Sequence, residues 1–214
     1  EREPIEGPWQ QAAIGHFLKA VEAGEDQTGD IQNVETDGFC LSLPLVARLS
    51  AQESDLDFDT TVADAVRMLS AAEDAVQHSA ARASILRDVI RSDTTGSSAE
   101  ALPAVDVAKR AMLVQTALTT SDEAIHNEFQ SVLSRIPTTT AGSVWGEALL
   151  SAAYLDAVET FGKPCPDPGN FQSSLLAILT ASSYSEAIQR NILGGGCNCS
   201  RSNFIGAVLG YLQP

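Results

Sequence analysis

Hydrophobic residues recur along this chain at spacings of three and four positions, and no segment shows sustained alternation of apolar and polar residues. From Trp9 to Ala23, for example, apolar side chains return with a helical period, and Gly24 follows as a helix stop. The pattern therefore predicts an all-α fold. Helices are expected over 9–23, 39–50 (short, and broken near Pro44), 59–75, 77–91, 104–119, 121–135, 143–161, 169–181, 184–193 and 201–212.

The segments between these helices are polar or rich in glycine and proline. Residues 1–8 are predicted to be a tail or linker, and residues 25–38 and 92–103 are predicted to be loops because turn-forming residues are frequent there. The stretch GKPCPDPGN, residues 162–170, is interpreted as a rigid connector inside a domain, since apolar helices flank it closely. Residues 9–214 are therefore assigned to a single domain.

Composition narrows the possible classes of function. The chain has 214 residues, 44% of them hydrophobic, which suffices for one sizeable core. Its formal charge of −15 repels phosphate backbones, so we expect no nucleic-acid partner. No apolar window is long enough to span a membrane, and no signal peptide opens the chain, so no membrane association is expected. The four cysteines form no CxxC framework, which favours a reducing, cytoplasmic compartment.

Two groups of residues are candidates for a metal or catalytic site. The segment DFDTT, residues 57–61, could bind a hard cation through oxygen, but capping of a helix that starts near Val62 by Asp59 or Thr60 is the favoured interpretation. His16, His78 and His126 lie far apart and show no ligand spacing. No nucleophile elbow, phosphate-binding loop or dinucleotide fingerprint is present.

The segment GGGCNCS, residues 194–200, is the most distinctive in the chain. Its glycines free the backbone to approach a ligand, and a helix from about Ser200 would offer N–H groups to an anion. Cys197 and Cys199 could hold a soft metal ion, could act as a redox pair, or could be small half-buried side chains at a helix start. Residue chemistry favours the last interpretation but leaves the other two open.

The C-terminal sequence resembles the end of the ADP-ribosylglycohydrolase superfamily. That family ends with a Pro-Gly-aromatic turn, a small-residue helix, an EA-x-R/Q-x-N segment, Gly-Gly-Asp-x-Asp-Thr and a GA-x-x-GA helix. The matching pieces here are Pro168-Gly169-Asn170-Phe171, Glu186-Ala187, Asn191, Gly195-Gly196 and Ile205-Gly206-Ala207-Val208-Leu209-Gly210. Upstream, ETDGFCLSLPLVARL and DTTVADAVRMLSAAEDAVQHSAARASIL are similar to the branch that contains the J-type lens crystallins. The resemblance runs from about Gly7 to Leu212.

The resemblance implies the C-terminal part of a single all-α, ADP-ribosylglycohydrolase-like helical bundle that lacks its N-terminal third. Family members bind two Mg²⁺ ions and hydrolyse the glycosidic bond of ADP-ribosyl groups. Carried over residue by residue, the family's C-terminal metal positions are Cys197, Cys199 and Ser200, so both carboxylates are replaced by thiols. The family's second metal-binding motif, Thr/Ser-Asp-Asp, has no counterpart in this chain. The remaining candidate ligand-binding residues are Asn191, Gly195, Gly196 and Asn198.

We therefore expect a superfamily member whose metal-assisted catalysis is lost or impaired. ADP-ribose or an ADP-ribosylated substrate would be its partner if activity were retained. A non-enzymatic, crystallin-like structural protein is the main alternative, and the high negative charge fits it. A thiol-based redox or soft-metal module is the third, which the Cys-x-Cys spacing alone supports.

Overall fold

The computed structural model describes residues 11–51, 57–92, 107–119, 121–136 and 147–212, and this part of the chain contains helices and no strand. The all-α prediction is confirmed. The helices are α1 (Ala12–Ala23), α2 (Asp37–Ala51), α3 (Phe58–Arg67), α4 (Glu73–Arg91), α5 (Val107–Ala117), α6 (Glu123–Ser134), α7 (Glu147–Phe161), α8 (Gly169–Thr180), α9 (Tyr184–Gly194) and α10 (Asn198–Leu212). The expectations for residues 1–8 and for nearly all of the 92–103 loop lie outside the described residues.

Helix α8 is the centre of the bundle. Each of its residues is buried, and it packs against α5, α6, α7, α9 and α10. A second group of helices, α2, α3 and α4, packs together, and α10 contacts both groups through α4 and α8. A helix buried on all sides needs small or apolar residues around its whole circumference, and the sequence GNFQSSLLAILT supplies them. None of the helices in the described ranges has the length and apolar character needed to cross a bilayer.

Helix α2 corrects the prediction of a short helix broken near Pro44. The helix is continuous from Asp37 to Ala51 with Pro44 inside it. Pro44 lies on the exposed side, while Phe39, Val46 and Leu49 are buried against the rest of the bundle. Proline removes one backbone hydrogen bond. The packing of the opposite face on α3 and α4 holds the helix together despite this loss.

The predicted boundary between the third and fourth helices was also wrong. Helix α3 ends at Arg67, and α4 begins at Glu73. The turn between them pairs with the loop before α2, because Asp30 donates to Leu69 O at 3.1 Å and Ala71 donates to Asp30 O at 3.0 Å. These two backbone hydrogen bonds satisfy groups that a longer helix would have paired internally.

A buried ion pair joins the two groups of helices. Arg82 on α4 donates two hydrogen bonds to Asp167, from Nη1 to Oδ2 at 2.9 Å and from Nη2 to Oδ1 at 2.5 Å. Both side chains are 1% exposed. The guanidinium is also surrounded by aromatic rings, with centroids 5.2 to 5.9 Å from its central carbon, which belong to Phe39, Phe171 and Phe204. The pair thus fixes the connector before α8 against α4.

His78 forms a second buried polar contact between helices. Its Nδ1 lies 2.7 Å from Asp74 O and its Nε2 lies 2.9 Å from Glu128 Oε2 on α6. Asp74 O is an acceptor and the Glu128 carboxylate accepts when ionised, so the two contacts together favour the doubly protonated imidazolium. Burial lowers the pKa of His78, but the hydrogen bond to Glu128 and the charges of Asp167 and Glu128 outweigh burial, and the pKa is raised above its usual 6.5. The sequence analysis, which found no ligand spacing for His78, did not indicate this buried contact with Glu128.

We expect Asp167→Asn to destabilise the protein by about 3–5 kcal/mol, because it leaves the Arg82 charge buried without its counter-charge. Chemical denaturation followed by circular dichroism measures the change. The matched control is Asp156→Asn, which removes a carboxylate that is 77% exposed and 3.4 Å from Arg135. The control should cost less than about 1 kcal/mol. Equal losses in the two variants would contradict a structural role for the buried pair.

The His78 contact should make stability depend on pH. A raised folded-state pKa means that the stabilisation is complete below the unfolded value of 6.5 and is lost as the pH rises through the folded value. The difference in unfolding free energy between the wild-type protein and Glu128→Gln should therefore shrink as the pH rises above 6.5. Denaturation curves from about pH 5.5 to about pH 8.5 test this. A difference that stays constant over this range would show that His78 is neutral in the folded protein.

Candidate functional site

Residues 195–197 form a tight loop between α9 and α10, called here the glycine loop. Gly195 has φ 70° and Gly196 has φ 68°, both in the left-handed region that favours glycine. Gly196 also lies directly against the backbone at Lys163, where a Cβ would come within 2.2 Å of the carbonyl oxygen. Two glycines are therefore required here by backbone geometry.

The guanidinium of Arg201 organises the glycine loop from the inside. Arg201 is fully buried on α10 and donates to the side chains of Asn191 (Nε to Oδ1, 2.6 Å) and Asn198 (Nη2 to Oδ1, 2.9 Å). It also donates to the carbonyl oxygens of Gly195 and, at 3.2 Å, Lys163. No carboxylate among the described residues pairs with it. Charge-assisted hydrogen bonds to oxygen thus stabilise a charge that would otherwise be costly to bury.

Asn191 completes the frame of the glycine loop, a term used here for the hydrogen-bond network that Arg201 and Asn191 form around it. It is fully buried, and its Nδ2 donates to Asn198 O at 3.0 Å and to Ser202 Oγ at 2.8 Å. All of its side-chain polar atoms are therefore used in joining α9 to α10. Asn191 lies on α9 and acts as a positioning residue, because its side chain holds the backbone and does not face solvent.

Two sulfur atoms lie close together at the start of α10. Cys197 N donates to Lys163 O at 2.9 Å, and Cys197 Sγ lies 2.9 Å from Ser200 Oγ and 3.8 Å from Cys199 Sγ. Because α10 begins at Asn198, three residues earlier than predicted, Cys199 and Ser200 belong to its first turn.

The thiols differ in acidity. Burial alone would raise the pKa of Cys197, but hydrogen bonds from Cys165 and Ser200 outweigh it and hold the pKa below its usual value. The pKa of Cys165 is raised, first by burial and then by the neighbouring Cys197. Burial raises the pKa of Cys40 to about 11. Cys197 is therefore the most readily ionised of these three thiols.

Two acidic residues lie at the edge of the same region. Glu35 precedes α2, its backbone bridges to Pro166, and its carboxyl group hydrogen-bonds to that of Asp37. Burial and the charge of Asp37 raise the pKa of Glu35. Asp37 Oδ2 also accepts a hydrogen bond from Gln11. These carboxylates are thus engaged with each other and with Gln11.

The residues present do not fit a magnesium site. Mg²⁺ requires near-octahedral oxygen ligands, whereas the positions that match the family's ligands offer two thiols and one hydroxyl, and that hydroxyl contacts Cys197 Sγ. Within the described ranges, no three His, Cys, Asp or Glu side chains converge in a way that could hold a metal ion. No catalytic step can therefore be derived through a metal here.

The other candidates have structural roles. Asp57 caps α3, accepting from Asp59 N at 3.2 Å and from Thr60 Oγ1 at 2.6 Å. The expected caps, Asp59 and Thr60, were wrong because the helix begins at Phe58 and not near Val62. His126 turns back to Asp122 O in its own helix, at 3.1 Å.

The sequence analysis named Asn191, Gly195, Gly196, Cys197, Asn198, Cys199 and Ser200, and the structure brings them together around one loop. It missed Arg201. The sequence pattern could have predicted that Arg201 is buried. It lies three, four and seven residues before the buried Phe204, Ile205 and Val208, which places it on the core face of α10. Whether any of the seven binds a ligand stays a prediction.

Comparison with known proteins shows that the chain is a distant homologue of the J-crystallins, which belong to the ADP-ribosylglycohydrolase superfamily. The relatives are Crystallin J1A and Crystallin J1B of Tripedalia cystophora, 26% and 25% identical over 210 residues. Each match covers 97% of this chain and 54% of the relative, so the chain spans about half the length of these proteins. No family model and no solved structure matches the chain.

Replacing Gly196 by alanine should open the glycine loop. The variant combines backbone strain of about 1–3 kcal/mol with a steric clash at Lys163 O. Hydrogen exchange should show loss of protection at the Cys197 amide, whose partner is that carbonyl.

The matched control is Gly210→Ala in α10, the helix that follows the glycine loop. A Cβ at Gly210 meets nothing within 4 Å. This variant should leave the loop protected and raise stability by up to about 1 kcal/mol through helix propensity. Unchanged protection in Gly196→Ala would mean that the loop does not depend on close backbone approach.

Proposed function

We propose that this chain is an ADP-ribosylglycohydrolase-like protein that retains the frame of the family's ligand-binding loop but has lost magnesium-assisted hydrolysis. The single observation behind the proposal is the chemistry at the start of α10. By resemblance, Cys197 and Cys199 stand where the family has carboxylates, and the sulfur atom of Cys197 contacts the side chains of Ser200 and Cys199.

The neighbouring acids do not compensate for the lost carboxylates. A useful magnesium ligand is an ionised oxygen that faces the ion. Burial and the charge of Asp37 raise the pKa of Glu35, and Asp37 accepts hydrogen bonds from Gln11 and Asn33. Each carboxylate would have to give up its present contacts to bind a cation.

Binding of an ADP-ribosyl group without hydrolysis remains compatible with this frame. The left-handed glycines Gly195 and Gly196 lie directly before the N-terminus of α10, and a helix N-terminus favours an anion. Two N–H groups there are already paired, since Cys197 N donates to Lys163 O and Asn198 N donates to Gly196 O. In this proposal Gly195 and Gly196 would contact the ligand. Asn191 and Asn198 would act indirectly, because Arg201 and the α10 backbone already occupy their side chains.

A crystallin-like structural role is the second candidate. Two observations favour it: the similar relatives are named crystallins, and the net charge of −15 would keep molecules apart at high concentration. Under this alternative the loop frame would persist only because Arg201 and Asn191 are part of the core.

Calorimetric titration with magnesium, and then with ADP-ribose, separates these possibilities. We expect no heat from magnesium in the millimolar range and no magnesium-dependent release of ADP-ribose from an ADP-ribosylated protein. Heat from ADP-ribose alone, reduced in Gly196→Ala, would support a binding protein. No heat from either ligand would favour the structural role.

Magnesium-dependent hydrolysis by the wild-type chain, lost in the Glu35→Gln and Asp37→Asn variants, would contradict the proposal. It would mean that these two carboxylates take over the role of the missing ligands. Circular dichroism of each variant would exclude loss of folding as the cause.

A further inference from the structure

We propose that Cys197 and Cys199 form a two-thiolate site for a soft metal ion, Cu(I), at the start of α10. Their sulfur atoms lie 3.8 Å apart, and Cys197 is partly exposed while Cys199 is exposed. The inference goes beyond the proposed function and does not rest on it, because it concerns the two thiols and not the binding of ADP-ribose.

The separation of the two sulfur atoms suits a shared metal ion. Thiolate sulfur binds Zn²⁺ at about 2.3 Å, and Cu(I) is bound at a similar distance. Two such bonds that start from atoms 3.8 Å apart meet at the ion at an angle of roughly 110°. The distance between the sulfur atoms therefore does not have to change for both of them to bind one ion.

The backbone around the two thiols is held in place before an ion binds. Asn198 lies between them, and its carbonyl accepts from Asn191 at 3.0 Å while its Oδ1 accepts from Arg201 at 2.9 Å. The carbonyl of Cys199 accepts from Asn203 Nδ2 at 3.1 Å. None of these hydrogen bonds uses a sulfur atom. Ligands that are fixed in advance lose little conformational entropy on binding, which favours affinity.

The number and kind of ligands select the ion. Thiolates are soft ligands, which favour Cu(I) and are poorly matched to Mg²⁺. Zn²⁺ also accepts thiolates, but its structural sites have four protein ligands. Among the residues that the structure describes, no third His, Cys, Asp or Glu joins the pair. Cu(I) accepts a lower coordination number, so two thiolates suffice, and a small thiol from solution can approach the exposed side of the ion.

Binding is an exchange of protons for a metal ion, without a change of oxidation state. Cu(I) displaces the protons of both thiols, which pass to the buffer, so neither thiol has to be ionised beforehand. The product carries one net negative charge at the N-terminal end of α10, where the helix dipole favours it. Ser200 Oγ lies 2.9 Å from Cys197 Sγ and can donate a hydrogen bond to the bound sulfur.

The test is anaerobic titration of the reduced full chain with Cu(I), supplied as its coloured complex with the chelator bicinchoninate. We expect the protein to withdraw one Cu(I) per chain, measured as loss of the absorbance of the chelator complex. Native mass spectrometry should show one bound copper ion and the loss of two protons. Cys197→Ser and Cys199→Ser should each abolish this uptake.

The matched controls are Cys40→Ser and Cys165→Ser, which replace the other two cysteines of the chain. Both variants should take up Cu(I) as the wild-type protein does, and circular dichroism verifies the folding of every variant. X-ray absorption of the copper-loaded wild-type protein gives a measurement that needs no variant. It should show sulfur neighbours at about 2.3 Å from the copper ion.

Four results would overturn the proposal. The folded, reduced wild-type protein could fail to withdraw Cu(I) from the chelator, or its copper ion could have only nitrogen or oxygen neighbours. Uptake could persist in a folded Cys197→Ser/Cys199→Ser double variant. Finally, uptake could be lost in a folded Cys40→Ser or Cys165→Ser variant, which would show that the ion is held by a different set of thiols.

Discussion

The candidate site depends on one buried cation. Arg201 lies inside the bundle without a carboxylate partner in the described part of the chain, and its guanidinium donates instead to oxygens of α9, of the glycine loop and of the connector. A planar group with five fixed donors is suited to this role, whereas a lysine ammonium would not reach these separate acceptors. The position of the loop backbone follows from this hydrogen-bond network and from the left-handed glycines.

The frame and the chemistry of the site are therefore separable. None of the contacts of Arg201 and Asn191 involves the side chain of Cys197, Cys199 or Ser200. Side chains at those positions can change from hard oxygen to soft sulfur while the backbone stays in place. Such a change alters which ligands the site can hold, because thiolates and magnesium are poorly matched.

Helical periodicity was enough to predict the all-α fold and most helices, because their apolar positions follow the core directly. The continuity of α2 through Pro44 was not predictable, since it depends on packing against α3 and α4. The glycine loop was singled out by its glycines and thiols, and the resemblance added the family's metal and ligand positions to it. Arg82 and Arg201 occupy core positions, but their partners, Asp167 and the carbonyl of Lys163, are distant in sequence. The hydrogen bond from Cys197 N to Lys163 O depends on the same tertiary approach.

The hydrogen-bond network of Arg201 and Asn191 should hold the glycine loop without help from the side chains of Cys197 and Cys199. Hydrogen exchange at the backbone amide of residue 197 tests this most directly. We would compare the wild-type protein with the double variant Cys197→Ser/Cys199→Ser and with Arg201→Lys. The account predicts that protection of this amide, which donates to Lys163 O, is unchanged in the serine double variant and lost in Arg201→Lys. Loss of protection in the serine variant, with Arg201→Lys still protected, would mean that the thiols and not the buried guanidinium hold the loop.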